Sequence, residues 1–187
     1  MDLIAALEET YRRAEEVVDG IREDQWDDPT PCVKWNVREL LRHFIGSANM
    51  FGVVLSGGNP TPPPEAPALG DDPATTFAEA AARNLEVWRK RGSLDGTVPF
   101  SIGEIPAEMA ARFNVQEVLA HTWDLARATG QDPALPPEVA ADALEFAQGA
   151  IKPEFRDANG DPIAPPVDVS PDAPIGDRFA AFLGRRP

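Results

Sequence analysis

Apolar residues in the stretch DLIAALEETYRRAEEVVDG (residues 2–20) return at steps of three and four: Leu3, Ile4, Leu7, Tyr11, Ala14 and Val18. That period belongs to a helix with one buried face. Gly20 is placed to end it at the C′ position. After a loop with two prolines, a second pattern opens at Asn36, an N-cap residue with Glu39 at capping-box spacing. Its apolar face is Leu40, Leu41, Phe44, Ile45, Ala48 and Phe51, reaching Leu55. The prolines and glycines of SGGNPTPPPEAPALGDDP cannot continue a helix, so residues 57–72 are predicted to form a long crossover. A third helix is expected over Ala74–Arg91, with Phe77, Ala81, Leu85 and Trp88 as its stripe. GSLDGTVPFSIGEIP then reads as a short extended or hairpin-like connection. The fourth helix is predicted to start with Pro106 at N1 and to run to Thr129, with Gly130 beyond. A fifth covers about Pro137–Ile151, and the Pro- and Asp-rich tail from Lys152 ends in a helix near Ile175–Leu183.

No internal repeat and no regular alternation of strand and helix interrupts this order. The pattern predicts an all-α fold, a four-helix bundle with one long crossover between helices two and three. The bundle occupies about residues 1–151 and a C-terminal extension about 152–187. A chain of 187 residues has the size of one such domain.

Composition narrows the range of functions. Hydrophobic residues make up 43% and charged residues 26%, as in ordinary globular proteins. The apolar runs are too short to span a bilayer, and the N-terminus becomes charged too early for a secretory signal. Cys32 is the single cysteine, so no internal disulfide forms and a cytoplasmic location is expected. The formal charge is −14, from 31 acidic against 17 basic residues. Such a chain repels phosphate backbones and anionic lipid, which excludes a nucleic-acid binder and a membrane-surface protein.

Against that acidic background the two histidines, His43 and His121, carry the candidate chemistry. Glu117 precedes His121 by four residues, so both project from one face of the fourth helix. His43 lies on the second helix, and Gly46 is expected to leave room beside it. If these helices pack together, His43, Glu117 and His121 can hold one divalent metal. Two imidazoles and a carboxylate suit Zn²⁺, Ni²⁺ or Fe²⁺ and leave positions for water or substrate. The competing reading is a pair of hydrogen-bonded core histidines. Glu39 and His43 form a second pair at spacing four, but Glu39 already has a local role in the capping box.

Other polar and aromatic residues divide between two roles each. Asp124 can accept from an imidazole N–H and so orient a ligand, or it can pair with Arg127. Trp35 and Trp123 can wall a pocket, though core packing is the expectation for both. Arg38 and Arg127 can bind a substrate carboxylate, though surface ion pairing is expected. Cys32 is read as packing.

Two segments, TPCVKWNVRELLRHFIG (residues 30–46) and QEVLAHTWDLARATGQDP (116–133), closely resemble the metal-binding domain of mycothiol-dependent maleylpyruvate isomerases. The likeness is strongest to the stand-alone actinobacterial proteins of that group, within the DinB-like superfamily, and it reaches the tail PPVDVSPDAPIGDRFAAFLGR. The resemblance implies the four-helix bundle with its crossover. It also implies a metal triad of one His from helix two and an ExxxH pair from the later helix. These fall on His43, Glu117 and His121, and so select Glu117 over Glu39.

The implied chemistry is thiol-dependent transfer or isomerisation, with mycothiol as the low-molecular-weight thiol that attacks an electrophilic substrate. The full isomerase carries a separate C-terminal domain that contributes to its active site. Here only residues 152–187 follow the fifth helix. The substrate pocket is therefore expected from the helix faces, the 21–35 loop, the tail, or the second subunit of a homodimer. The alternative is a non-catalytic metal- or small-ligand-binding module whose site is structural or vestigial. A structural zinc is normally closed by four protein ligands, so three favour reactivity.

Overall fold

The computed structural model describes residues 1–58, 67–100, 103–157 and 163–187. Helix α1 (Leu3–Asp19) starts where the Asp2 carboxylate accepts from the N–H groups of Ile4 and Ala5. Helix α2 (Val37–Leu55) is fixed by the full capping box. Glu39 N–H donates to the Asn36 side chain at 2.9 Å, and Asn36 N–H donates to the Glu39 carboxylate at 3.1 Å. Helix α3 (Pro73–Arg91) has an Asp72 cap and Pro73 in its first turn, and it ends at left-handed Gly92. Strands β1 (Thr97–Phe100) and β2 (Gly103–Pro106) pair antiparallel, with Val98 opposite Ile105, before α4 (Ala107–Ala128). Helices α5 (Pro137–Ala150) and α6 (Ile175–Phe182) complete the order.

Three local expectations change. Pro106 is the N-cap of α4 rather than its first residue, because it is also the last residue of β2, opposite Thr97. Gly20 caps α1 with an ordinary right-handed φ of −80°. What it provides is space, since a Cβ there would collide with the Gln131 side chain. Gly46 makes room for Pro67 rather than for His43.

Side-chain pairs give the helix directions. Phe44 packs on Phe77 at 4.7 Å between ring centroids, and the Asn84 side-chain amide donates to the Ala48 carbonyl. Both numbers of each pair rise together, so α2 and α3 run parallel. Parallel neighbours need a connection that travels back along the bundle, which is the role of the long crossover. Its residues 59–66 lie outside the described residues. Arg89 pairs with Glu8 while Tyr11 meets Phe77, so α1 opposes α3. His43 meets Glu117 while Phe51 meets Phe100, ahead of α4, so α4 opposes α2. Each of α1 and α2 packs against both α3 and α4, which closes a four-helix bundle.

Among the described residues a continuous apolar core draws on α1 to α6 and on β1 and β2, with Trp88, Trp123, Tyr11, Phe44, Phe77 and Phe179 its largest fully buried side chains. The C-terminal segment joins that core through α6, which packs on α5 and α4. Beyond α6, Gly184 N–H donates to Ala181 and Arg185 N–H donates to Ala180, the paired bonds of a Schellman motif. Gly184 has φ +91°, a conformation suited to glycine, and the chain turns inward there. Among the described residues, no helix is long and apolar enough to cross a membrane.

Candidate metal centre

Helix α4 is buried on nearly every side from Asn114 to Ala126, so polar residues on it must find partners inside the protein. Glu117 and His121, one turn apart, do so toward α2. On α2, Leu40, Leu41 and Phe44 face the core, which leaves His43 at the edge of the buried face with its side chain 36% exposed. His43 Nε2 lies 2.8 Å from Glu117 Oε1, and His121 Nε2 lies 3.4 Å from the same oxygen. One donor atom from each of the three residues falls within 4.8 Å of the others. The two imidazole rings stand nearly perpendicular, 5.0 Å apart.

The surroundings fix these rings. The Trp35 indole stacks on His43 at 4.2 Å and 23°, and meets His121 edge-on at 6.1 Å. Trp35 is placed by a tight loop in which Thr30 Oγ1 bonds the carbonyls of Cys32 and Trp35. Behind His121, Nδ1 lies 3.2 Å from Asp124 Oδ2. Asp124 is fully buried and receives a fork from Arg185, with Nε 3.2 Å from Oδ1 and Nη2 3.0 Å from Oδ2.

Charge in this cluster is strongly coupled. Burial pushes the Glu117 carboxyl up, but the two imidazoles outweigh it and hold Glu117 well below the usual carboxylate range. Burial pushes His121 down, and the carboxylates of Glu117 and Asp124 reverse this, raising it to about 9. For Asp124, burial is overcome by the Arg185 guanidinium and His121, and the net shift is downward. The cluster therefore favours positive charge between Glu117 and the two rings. Two nitrogen donors and one oxygen donor, with an acceptor behind one of the imidazoles, match the preferences of Zn²⁺, Ni²⁺ or Fe²⁺.

The residues singled out from the sequence separate clearly. His43, Glu117 and His121 come together, and Glu39 stays in its capping box. Asp124 pairs with His121 and Arg185, not with Arg127, which lies over the Trp123 ring. Trp123 is core, whereas Trp35 is half-exposed and covers a face of His43. Arg38 sits over the Trp26 ring, with its Nε 3.8 Å from Asp27. Arg185 was not singled out. The signal for it is indirect: a carboxylate buried on α4 requires a cation, and nothing in the pattern indicates which of the basic residues supplies it.

A family model described as the mycothiol maleylpyruvate isomerase N-terminal domain matches residues 7–126. That span contains His43, Glu117, His121 and Asp124 but not Arg185. Two uncharacterized proteins from two strains of Mycobacterium tuberculosis are each 32% identical over 185 residues, covering 99% of this chain and 98% of theirs. Two crystal structures, of the mycothiol-dependent maleylpyruvate isomerase and of a mutant of it, share the fold. Their TM-scores are 0.62 and 0.63, at 17% and 15% identity. The likeness covers 76% of this chain and 66% of the isomerase chains, just under two thirds of their length.

Proposed function

This chain belongs to the mycothiol maleylpyruvate isomerase N-terminal domain family, and from that premise we propose that it is a divalent-metal-binding enzyme acting with a low-molecular-weight thiol. The reaction is of the mycothiol-dependent S-transferase or isomerase type, on an electrophilic substrate. The observation that carries this reading is the convergence of His43, Glu117 and His121 from two helices, with one donor atom of each within 4.8 Å of the others.

His43 Nε2, a Glu117 oxygen and His121 Nε2 are the proposed ligands, with Zn²⁺ the first choice and Ni²⁺ or Fe²⁺ the alternatives. When bound, such an ion supplies Lewis acidity that brings the pKa of a coordinated thiol toward neutrality. The chain's own residues do the rest. Glu117 places a negative charge between the rings. Asp124 accepts from His121 Nδ1, which leaves Nε2 as the donor atom. Trp35 covers one face of His43. The exposed edges of His43 and Glu117 are the side from which a thiol enters. In this reading residues 1–187 act as one domain, and the substrate pocket is completed by the 21–35 loop and the tail or by a second copy in a homodimer.

The test is metal analysis of purified protein, then titration of the Co²⁺-substituted form with mycothiol. Turnover is followed with an electrophile panel that includes maleylpyruvate, for wild type and His121→Ala. The expected result is one metal per chain, a thiol-induced change in the Co²⁺ absorption, and turnover lost in the variant. A bound metal that ignores mycothiol, with no turnover by either protein, would replace the enzyme by a metal-binding module.

A further inference from the structure

We infer that Arg185, just beyond α6, is a positioning residue of the metal centre: through Asp124 it fixes the ring of His121. This rests on the ligand role proposed above for His121. Asp124 is fully buried, and a buried carboxylate is retained only when it is paired and hydrogen-bonded. Arg185 supplies both through a two-pronged contact to Oδ1 and Oδ2. Its Nη1 donates to the Leu183 carbonyl at 3.2 Å, which braces the guanidinium. The oxygen that takes Nη2, Oδ2, is also the one that faces His121 Nδ1. The fork thus locks the carboxylate plane, and the carboxylate locks the imidazole with Nε2 turned toward Glu117 and His43.

The tail has other means of docking. Trp123 Nε1 donates to Asp177 at 2.9 Å, and Phe179 and Leu183 are buried in the core. Arg185 is therefore not the sole attachment of the tail. It is reached only because Gly184, at φ +91°, turns the chain back at the end of α6. The span matched to the family ends at residue 126, so this part of the site comes from a segment outside that match.

The test uses the full chain, with Zn²⁺ affinity from chelator competition and Co²⁺ absorption as readouts. Arg185→Met is expected to weaken Zn²⁺ binding by about ten- to a hundredfold, the range seen when partners of ligating histidines are removed, and to alter the Co²⁺ spectrum. Arg185→Lys restores the charge without the fork and is expected to recover part of the loss. Arg185→Met combined with Asp124→Asn removes both buried charges together. It keeps the question answerable if the single variant does not fold, and weak binding is expected again. Asp177→Ala loosens the tail without touching Asp124 and is expected to bind Zn²⁺ as wild type does.

Wild-type affinity and spectrum in both Arg185→Met proteins would overturn the inference. So would an equal loss in Asp177→Ala, which would assign the effect to tail docking. If the wild type itself takes up no metal, the reading of the site fails before Arg185 is tested.

Discussion

Two imidazoles share one oxygen of Glu117, and their surroundings make them unequal. His43 is partly exposed and, among the described residues, meets one carboxylate, while His121 is buried between two. Replacing His43 by Ala should therefore abolish metal uptake while changing folding stability little, about 1 kcal/mol or less. Metal analysis and urea denaturation of the same preparation check both halves.

His121 carries the pH dependence. Its pKa rises on folding from 6.5 to about 9. The stability it contributes is fully present below pH 6.5 and is lost as pH climbs through 9. Metal-free protein should thus lose stability between pH 6.5 and 9, and His121→Ala should lack that slope in thermal melts. Metal competes with the same proton, so Zn²⁺ affinity should rise across this window. Calorimetry in two buffers of different ionisation enthalpy should detect proton release, and its absence at pH 7 would remove His121 as a ligand.

At this scale the convergence of His43, Glu117 and His121 was legible, because i,i+4 spacing and the scarcity of histidine are properties of the sequence itself. Arg185 was not, because a contact across 61 residues leaves no periodic trace. Trp35 packs against the core, as expected, and also stacks on His43, which depends on how the 26–36 loop turns.

Among the elements, α4 carries Glu117 and His121, α2 carries His43, and α6 leads the chain to Arg185. The α2 capping box sets the start of the helix that carries His43, and Asn36→Ala should cost about 1 kcal/mol, read from chemical denaturation. Gly184→Ala should be worse than an ordinary surface substitution. Its φ of +91° disfavours any Cβ, and backbone atoms of Ala164 stand 2.9 Å from where that Cβ would be. Because Arg185 follows directly, this variant should also weaken Zn²⁺ binding, whereas Asn36→Ala, if folded, should not.

The helices were readable to within a residue or two, since periodicity, caps and prolines are local signals. Asp2, Asn36 and Pro73 each act where they stand in the chain. Direction was readable only through linker length, which allowed the parallel α2–α3 pair that Phe44–Phe77 and Ala48–Asn84 reveal. Pro106 was placed one position too far into α4 because its pairing with Thr97 is a tertiary fact, invisible to N1 statistics.

For the whole molecule, the question is whether the metal holds the fold or the fold holds the metal. In small metal-dependent domains the binding energy is the folding energy, and chelation unfolds them. Here a continuous core of apolar side chains runs through α1 to α6, His121 meets it only at its edge against Phe44, and its largest aromatics are packed to near-zero exposure. Chelated protein should therefore keep its full helical circular dichroism. Metal should still raise the melting temperature, because it binds the folded state alone. At free Zn²⁺ a hundredfold above Kd the gain is about 2.7 kcal/mol, and for a domain of this size each kcal/mol moves the midpoint by roughly 2–4 °C.

The net charge of −14 complicates the measurement, since exposed carboxylates bind divalent ions weakly and also raise stability. The His43→Ala protein keeps those carboxylates and lacks the proposed site, so subtracting its shift isolates the specific part. The expected remainder is roughly 5–10 °C. Loss of helical signal on chelation would make the metal structural, and a shift equal to that of His43→Ala would remove the site.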